Sequence, residues 1–154
     1  MALLKILIDN QEKKKLSTAI IHQKTKQILN ALGCDDHEIS ILITDDAHIQ
    51  ALNNTYRGID KPTNVLAFPM QEGQFADISP GLLGDVVISC ETAQQEADEA
   101  NISLVERLSQ LLIHGTLHLM GFDHETGVSD AKQMEDKSLE LLRKIEPNKD
   151  LTFF

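Results

Sequence analysis

Residues 114–124 read HGTLHLMGFDH, which spaces three histidines as H-x3-H-x5-H with a glycine between the second and third. On a helix, positions i and i+4 stand one above the other, so His114 and His118 can offer two imidazoles to one ion. Gly121 can end that helix in the left-handed conformation that other residues resist, and the returning chain can bring in His124 as a third ligand. A lone histidine on an apolar face usually finds a hydrogen-bond partner of its own. Three crowded on one element would each need one, whereas a single divalent cation satisfies all three together. Three imidazoles with a water in an open fourth position describe a catalytic Zn2+ site, because a structural site would be closed by a fourth protein ligand, often cysteine.

The H-x3-H-x2-G-x2-H spacing is also that of metzincin proteases, in which a glutamate after the first histidine serves as general base. Here that position is Gly115. Glycine cannot take a proton from water, so a peptidase or amidase would keep its ligand set and lose its base. Asp123 and Glu125 flank the third histidine, and Asp123 is a candidate to orient an imidazole or to act as base. Surface ion pairing explains Glu125 equally well.

A second constellation lies upstream. Residues 52–69 read LNNTYRGIDKPTNVLAFP, in which Arg57 and Lys61 bracket Gly58 and Asp60 just before an apolar run. A guanidinium holds phosphate oxygens in a forked geometry and stays charged at any relevant pH, so Arg57 can stabilise charge developing on a phosphoryl group. The alternative is that Arg57 only caps the carbonyls of the preceding helix. Lys61 is a second candidate phosphate contact.

The elements that must carry these residues follow from periodicity and punctuation. Leu3–Asp9, Glu38–Thr44, Asn64–Phe68 and Leu83–Ser89 read as strands, the third bounded by Pro62 and Pro69. Leu16–Leu32 carries apolar residues at helical spacing and closes at Gly33; Asp45 caps a second helix running through Tyr56. A turn-rich loop covers about residues 70–81. Cys90–Ala100 is a polar helix whose acidic residues form a solvated face. Ser103 and Glu106 form a capping box that opens the histidine helix, which is apolar almost all round from Leu108 to Met120 and should be buried. Asp130–Ile145 is a last amphipathic helix, ended by Pro147. This pattern predicts an α+β or α/β domain with helices packed on a mixed sheet, its strand order unreadable.

Composition narrows the class. The chain has 154 residues, 42% hydrophobic and 25% charged, which suits one globular domain over 1–154. Two cysteines, Cys34 and Cys90, lie outside any C-x-x-C pattern, so neither a disulfide framework nor a thiolate zinc knot is expected. The N-terminus has no charged region ahead of an apolar run, and the longest charge-free stretch, Leu108–Phe122, is shorter than the roughly 20 residues a crossing helix needs. No membrane partner is expected, and the cytoplasm is the expected location. The net charge of −10 is uneven: residues 1–70 hold 8 Lys+Arg and 8 Asp+Glu, and residues 71–154 hold 6 and 16. An anionic partner is therefore not steered by the average field, and the metal and a local cation must overcome it.

In order and spacing, LNNTYRGIDKPTNVLAFP, LLGDVVIS and HGTLHLMGFDH together resemble the YbeY family of bacterial endoribonucleases, over roughly Leu52 to His124. The resemblance implies a mixed sheet, mostly parallel with one antiparallel edge strand, packed against several helices. It implies one zinc ion on His114, His118 and His124, with Arg57 contacting substrate. It further implies a single-strand-specific endoribonuclease in ribosomal RNA maturation, including the 16S 3′ end, and in ribosome quality control, with the small subunit as partner. Asn64 and Ala67 stand where the family usually has aspartate and serine, which puts any role of those side chains in question; Asp85 is retained, as readily a strand-end hydrogen-bonding group as a functional one.

On this reading Arg57 and the metal act on a phosphodiester, with either water or the substrate's 2′-hydroxyl as nucleophile. The rivals are a zinc peptidase and a non-catalytic ribosome assembly factor that uses zinc to hold its fold. With one tyrosine, five phenylalanines and no tryptophan, the chain offers little for base-stacking platforms, so the ribosome is expected to supply specificity.

Overall fold

A computed structural model describes residues 5–34, 37–70, 82–122 and 127–153. Strand β1 (Lys5–Asn10) leads through helix α1 (Thr18–Ala31) to β2 (Glu38–Thr44), and α2 (Asp46–Arg57) leads to β3 (Val65–Pro69). Then come β4 (Leu82–Ser89), α3 (Cys90–Ala100), α4 (Leu104–Leu119) and α5 (Val128–Ile145). The sheet order is β1-β2-β4-β3. β1 pairs with β2 and β2 with β4 in parallel, while β3 runs antiparallel along β4 as an edge. This is one α+β domain with a mostly parallel sheet, as the resemblance implied.

Parallel neighbours need long crossovers, and α1 supplies the one between β1 and β2. Central strand β2 (EISILIT) alternates: Ile39, Ile41 and Ile43 point into the main core, while Glu38, Ser40 and Leu42 on the other side are only partly covered. Ile39, Ile41 and Ile43 of β2 join Val86 and Ile88 of β4 in the main core, with α1, α4 and α5. On the opposite side Val87 and Leu66 pack under Ile49 of α2, with Leu42 and Leu52 beside them.

Each helix start carries a side-chain signal except α5. Ser17, Asp45, Ser89 and Ser103 accept from backbone amides of α1, α2, α3 and α4 respectively. α1 begins at Thr18, two residues later than periodicity suggests, because Leu16 lies before the Ser17 cap. Leu16 and Ile21 share the core there, the N′ and N4 positions of a hydrophobic staple. The Ser103–Glu106 capping box forms in both directions, and its backbone hydrogen bond from Ser103 holds the Glu106 carboxyl below its usual range. α4 packs against α1, α3, α5, β3 and β4 and is the central helix of the fold. Among the described residues no helix is long and apolar enough to cross a membrane.

Candidate metal centre and cleft

α4 turns one face to a cleft while the rest is buried. Leu108, Leu111, Leu112, Ile113 and Leu117 are in the core, whereas His114 and His118 are only half-buried. Their Nε2 atoms lie 3.1 Å apart, with ring centroids 4.6 Å apart and planes at 72°. Two nitrogens in a tetrahedral shell at about 2.05 Å from zinc are separated by roughly 3.3 Å. The imidazole pair thus fits one ion between its Nε2 atoms. Among the described residues no group of three His, Cys, Asp or Glu side chains is assembled for a metal. The expected third ligand His124, with Asp123 and Glu125, lies outside the described residues.

The chain reverses just after the second histidine. Phe122 N donates to Leu117 O at 3.0 Å and Gly121 N to His118 O at 3.1 Å, the two bonds of a Schellman turn. Gly121 takes φ +95°, which a side chain would resist. Phe122 at the end of the turn packs against the core. The helix therefore stops where the spacing of the histidines requires.

Gly115 has a second meaning. A Cβ there would lie 2.8 Å and 3.1 Å from the two γ-carbons of Val86 and 3.4 Å from Val65 Cγ2. The histidine helix thus lies directly on β4 and β3, and the missing side chain is what allows it. Gly115→Ala is expected to lower stability by roughly 1–2 kcal/mol, because overpacking against a stiff valine costs more than the ~1 kcal/mol gained in helix propensity. Denaturant midpoints check this, and a more stable variant would contradict the packing. Gly115→Glu should be worse and should yield no peptidase.

Facing α4 across the cleft is β3. The cleft has a volume of about 690 Å³, and its walls include Arg57, Thr63, Asn64, Val65, Ala67, His114 and His118. The two segments singled out from the sequence therefore meet. Arg57 is not needed to cap α2: Gly58, at φ +70°, closes that helix with its own N–H on the carbonyls of Asn53 and Asn54. The Arg57 guanidinium has a long 3.5 Å contact to Asn53 Oδ1. Asn53 is buried and also donates to Lys61 O at 2.9 Å, so it ties the loop after α2 to the arginine. Lys61 itself is exposed and is not among the residues lining the cleft.

Asn64 lines the cleft and donates from Nδ2 to Glu96 Oε1 and Oε2 at 3.1 and 3.2 Å. Glu96 in turn accepts from Arg107 Nε and Nη2, at 3.1 and 3.0 Å. Arg107 is 3% exposed and sits on α4, so this relay fastens the strand wall of the cleft to the histidine helix. Glu96 is thus an anchor, not only part of a solvated face on α3. An amide at position 64 suits it: a carboxylate would face Glu96 with like charge. Ala67 also lines the cleft, while Asp85 lies on the other face of the sheet.

The family model described as "Endoribonuclease YbeY" matches residues 7–146, which include both cleft walls. The chain belongs to the endoribonuclease YbeY family. It is 45% identical over 145 residues to "Endoribonuclease YbeY" of Geobacter sulfurreducens, covering 93% of this chain and 97% of that one. The Syntrophotalea carbinolica member is 46% identical over 142 residues, 91% and 95% of the two chains. The Aquifex aeolicus member is 42% identical over 134 residues, 87% of each. The fold is also similar to the solution structure of TM1509 from Thermotoga maritima, with a TM-score of 0.63, 27% identity and coverage of 93% of this chain and 89% of that one. Belonging to the YbeY family agrees with the mixed sheet packed against helices.

Proposed function

We propose that this YbeY-family chain is a zinc-dependent endoribonuclease specific for single-stranded RNA. It acts in the cytoplasm on ribosomal RNA, including the 16S 3′ end, and in quality control of the small ribosomal subunit. The observation that carries this reading is the convergence of one guanidinium and two imidazoles on a single cleft. A Zn2+ ion held by His114, His118 and His124 with water in the fourth position would supply Lewis-acid chemistry at a phosphate oxygen or acidify that water.

The chain's own contribution is positioning and charge. Arg57 meets the scissile phosphate and stabilises the negative charge that grows on its oxygens, an interaction stronger in the transition state than in the bound substrate. Asn53 sets the direction of that guanidinium. The Asn64–Glu96–Arg107 relay fixes the spacing between β3 and α4, and so the width of the cleft. The acidic second half of the chain repels RNA at long range, which leaves affinity to these local contacts. The peptidase alternative is disfavoured twice, since Gly115 offers no base and has no room for one.

Arg57→Ala is expected to reduce the cleavage rate by about 10²–10³-fold, the usual effect of losing one preorganised charge-stabilising donor. Arg57→Lys should recover only part, because an ammonium lacks the fork. Zinc-loaded protein should cut a labelled single strand from the 16S 3′ end and spare the same strand annealed to its complement. Equal cutting of both, or cutting indifferent to Arg57→Ala, would overturn the assignment.

A further inference from the structure

The metal-side cleft follows the outer edge of the sheet. Every residue from Thr63 to Pro69 lines it, Leu66 and Phe68 from one sheet face and Val65 and Ala67 from the other, which a cavity can do only by running along the edge strand. β3 is that edge, and among the described residues no strand lies beyond it. Its ladder has a definite phase. Ser89 N donates to Asn64 O at 3.0 Å, and the register continues as Val65 with Ile88, Leu66 with Val87 and Ala67 with Val86. Bonded and non-bonded pairs alternate along an antiparallel ladder, so Leu66 and Phe68 exchange hydrogen bonds with β4 while Val65, Ala67 and Pro69 turn their main-chain groups outward. Pro69 fits this phase, since it stands in an outward slot where a missing N–H breaks no ladder bond. The Val65 carbonyl and the Ala67 amide are thus neighbours on the open edge, one acceptor beside one donor.

We propose that this main-chain pair holds the Watson–Crick edge of one unpaired base of the substrate, with Val65 O accepting from the base and Ala67 N donating to it. The assignment rests on the RNA reading of the cleft and deepens it, because the pair is what makes the site select single strands. Each of the four bases carries a donor and an acceptor side by side on its Watson–Crick edge, so the contact is tolerant of sequence. In a duplex those atoms are engaged by the opposite strand and have nothing to offer β3. Charge admits the rest of the strand: among the described residues lining the cleft there is no carboxylate, and Arg57 is there to take a phosphate. Hydrogen bonding to the base edge also replaces stacking, for which the chain has few aromatics. The amide at position 67 is the same whether its side chain is alanine or serine.

The test is fluorescence anisotropy with the full-length protein in EDTA, which measures binding without cleavage. The probes are a labelled single-stranded uridine 12-mer and the same strand built from 3-methyluridine, whose Watson–Crick edge is blocked while its phosphates are unchanged. Ala67→Pro removes the outward N–H and no ladder bond. It is expected to weaken binding of the uridine strand about 2- to 12-fold, the range for one main-chain hydrogen bond, and to leave the methylated strand unchanged. Arg57→Ala should weaken both strands alike, since both present phosphates. If Ala67→Pro melts well below the native protein, the same comparison is made with the Ala67 amide replaced by an ester, which deletes the N–H without the proline ring. Equal loss on both strands, or no loss on either, would overturn the base contact while leaving RNA binding itself in place. Failure of the native protein to bind any single-stranded RNA 12-mer would overturn the base contact and the endoribonuclease reading together. An extended peptide that protects the Ala67 amide from hydrogen exchange, with RNA affinity unmoved by Ala67→Pro, would assign the edge to a protein strand instead.

Discussion

His114→Ala should lose RNA cleavage by about 10³-fold or more while melting within a few degrees of the native protein. Metal assistance in phosphoryl chemistry is worth several kcal/mol, and each 1.36 kcal/mol is tenfold in rate. The fold should survive because the imidazole faces the cleft, half-buried, while α4 is held by Leu108, Leu111, Leu112, Ile113 and Leu117 on its other sides. Alanine is also the best helix former, so the substitution does not weaken α4 from within. Zinc content measured on the purified variant should fall from one ion per chain toward none. This separates the enzyme from the assembly-factor rival, in which the metal holds the fold. If His114→Ala melted far below the native protein, a structural metal would be the better account.

Glu146→Ala should destabilise the protein by about 3–5 kcal/mol, the usual result of stranding a buried charge. Lys24 of α1 reaches Glu146 Oε2 at 2.5 Å and Ile145 O at 3.2 Å, and Ser109 of α4 donates to the same carboxylate oxygen at 3.0 Å. The two charged side chains are 10% and 4% exposed. The cluster joins α1, α4 and the end of α5, the three helices that hold the histidine face against the sheet. Removing the carboxylate leaves an ammonium with one carbonyl for company, and for a domain of this size the melting temperature should drop on the order of 10 °C. The double variant Lys24→Met/Glu146→Leu should regain most of the loss, since an apolar pair of similar volume commonly replaces a buried ion pair at little cost. Thermal melts of the two variants decide it: a double variant as unstable as Glu146→Ala would show that packing, and not the stranded charge, sets the effect.

What could be read from the chain was local. The i, i+4 histidines, the Gly121 turn and the Ser103–Glu106 capping box are all contained within a few residues, and each is present as spacing and residue type require. The groups that tune the cleft were not readable because their partners are distant. Asn64 and Glu96 are 32 residues apart, and Lys24 and Glu146 are 122 apart, so no periodicity or spacing links them. Strand order was hidden for the same reason: β4 inserts between β2 and β3 through long-range pairing. Gly115 was read as a missing base, and only the contact with Val86 shows that it is also a packing requirement. Lys61 is a second candidate phosphate contact in the sequence, but the turn at Gly58 separates it from Arg57, and of the two only the arginine lines the cleft.

The most direct measurement is cleavage of a single-stranded 16S 3′-end RNA by one preparation assayed three ways: as purified with zinc, after chelation, and after one equivalent of zinc is returned. Cleavage should be lost on chelation and restored by the added zinc in the native protein, with no recovery in His114→Ala or Arg57→Ala assayed alongside. Undiminished cleavage by the chelated protein, or cleavage by both variants at the native protein's rate, would contradict the assignment of a metal-dependent RNA-cutting site to this cleft.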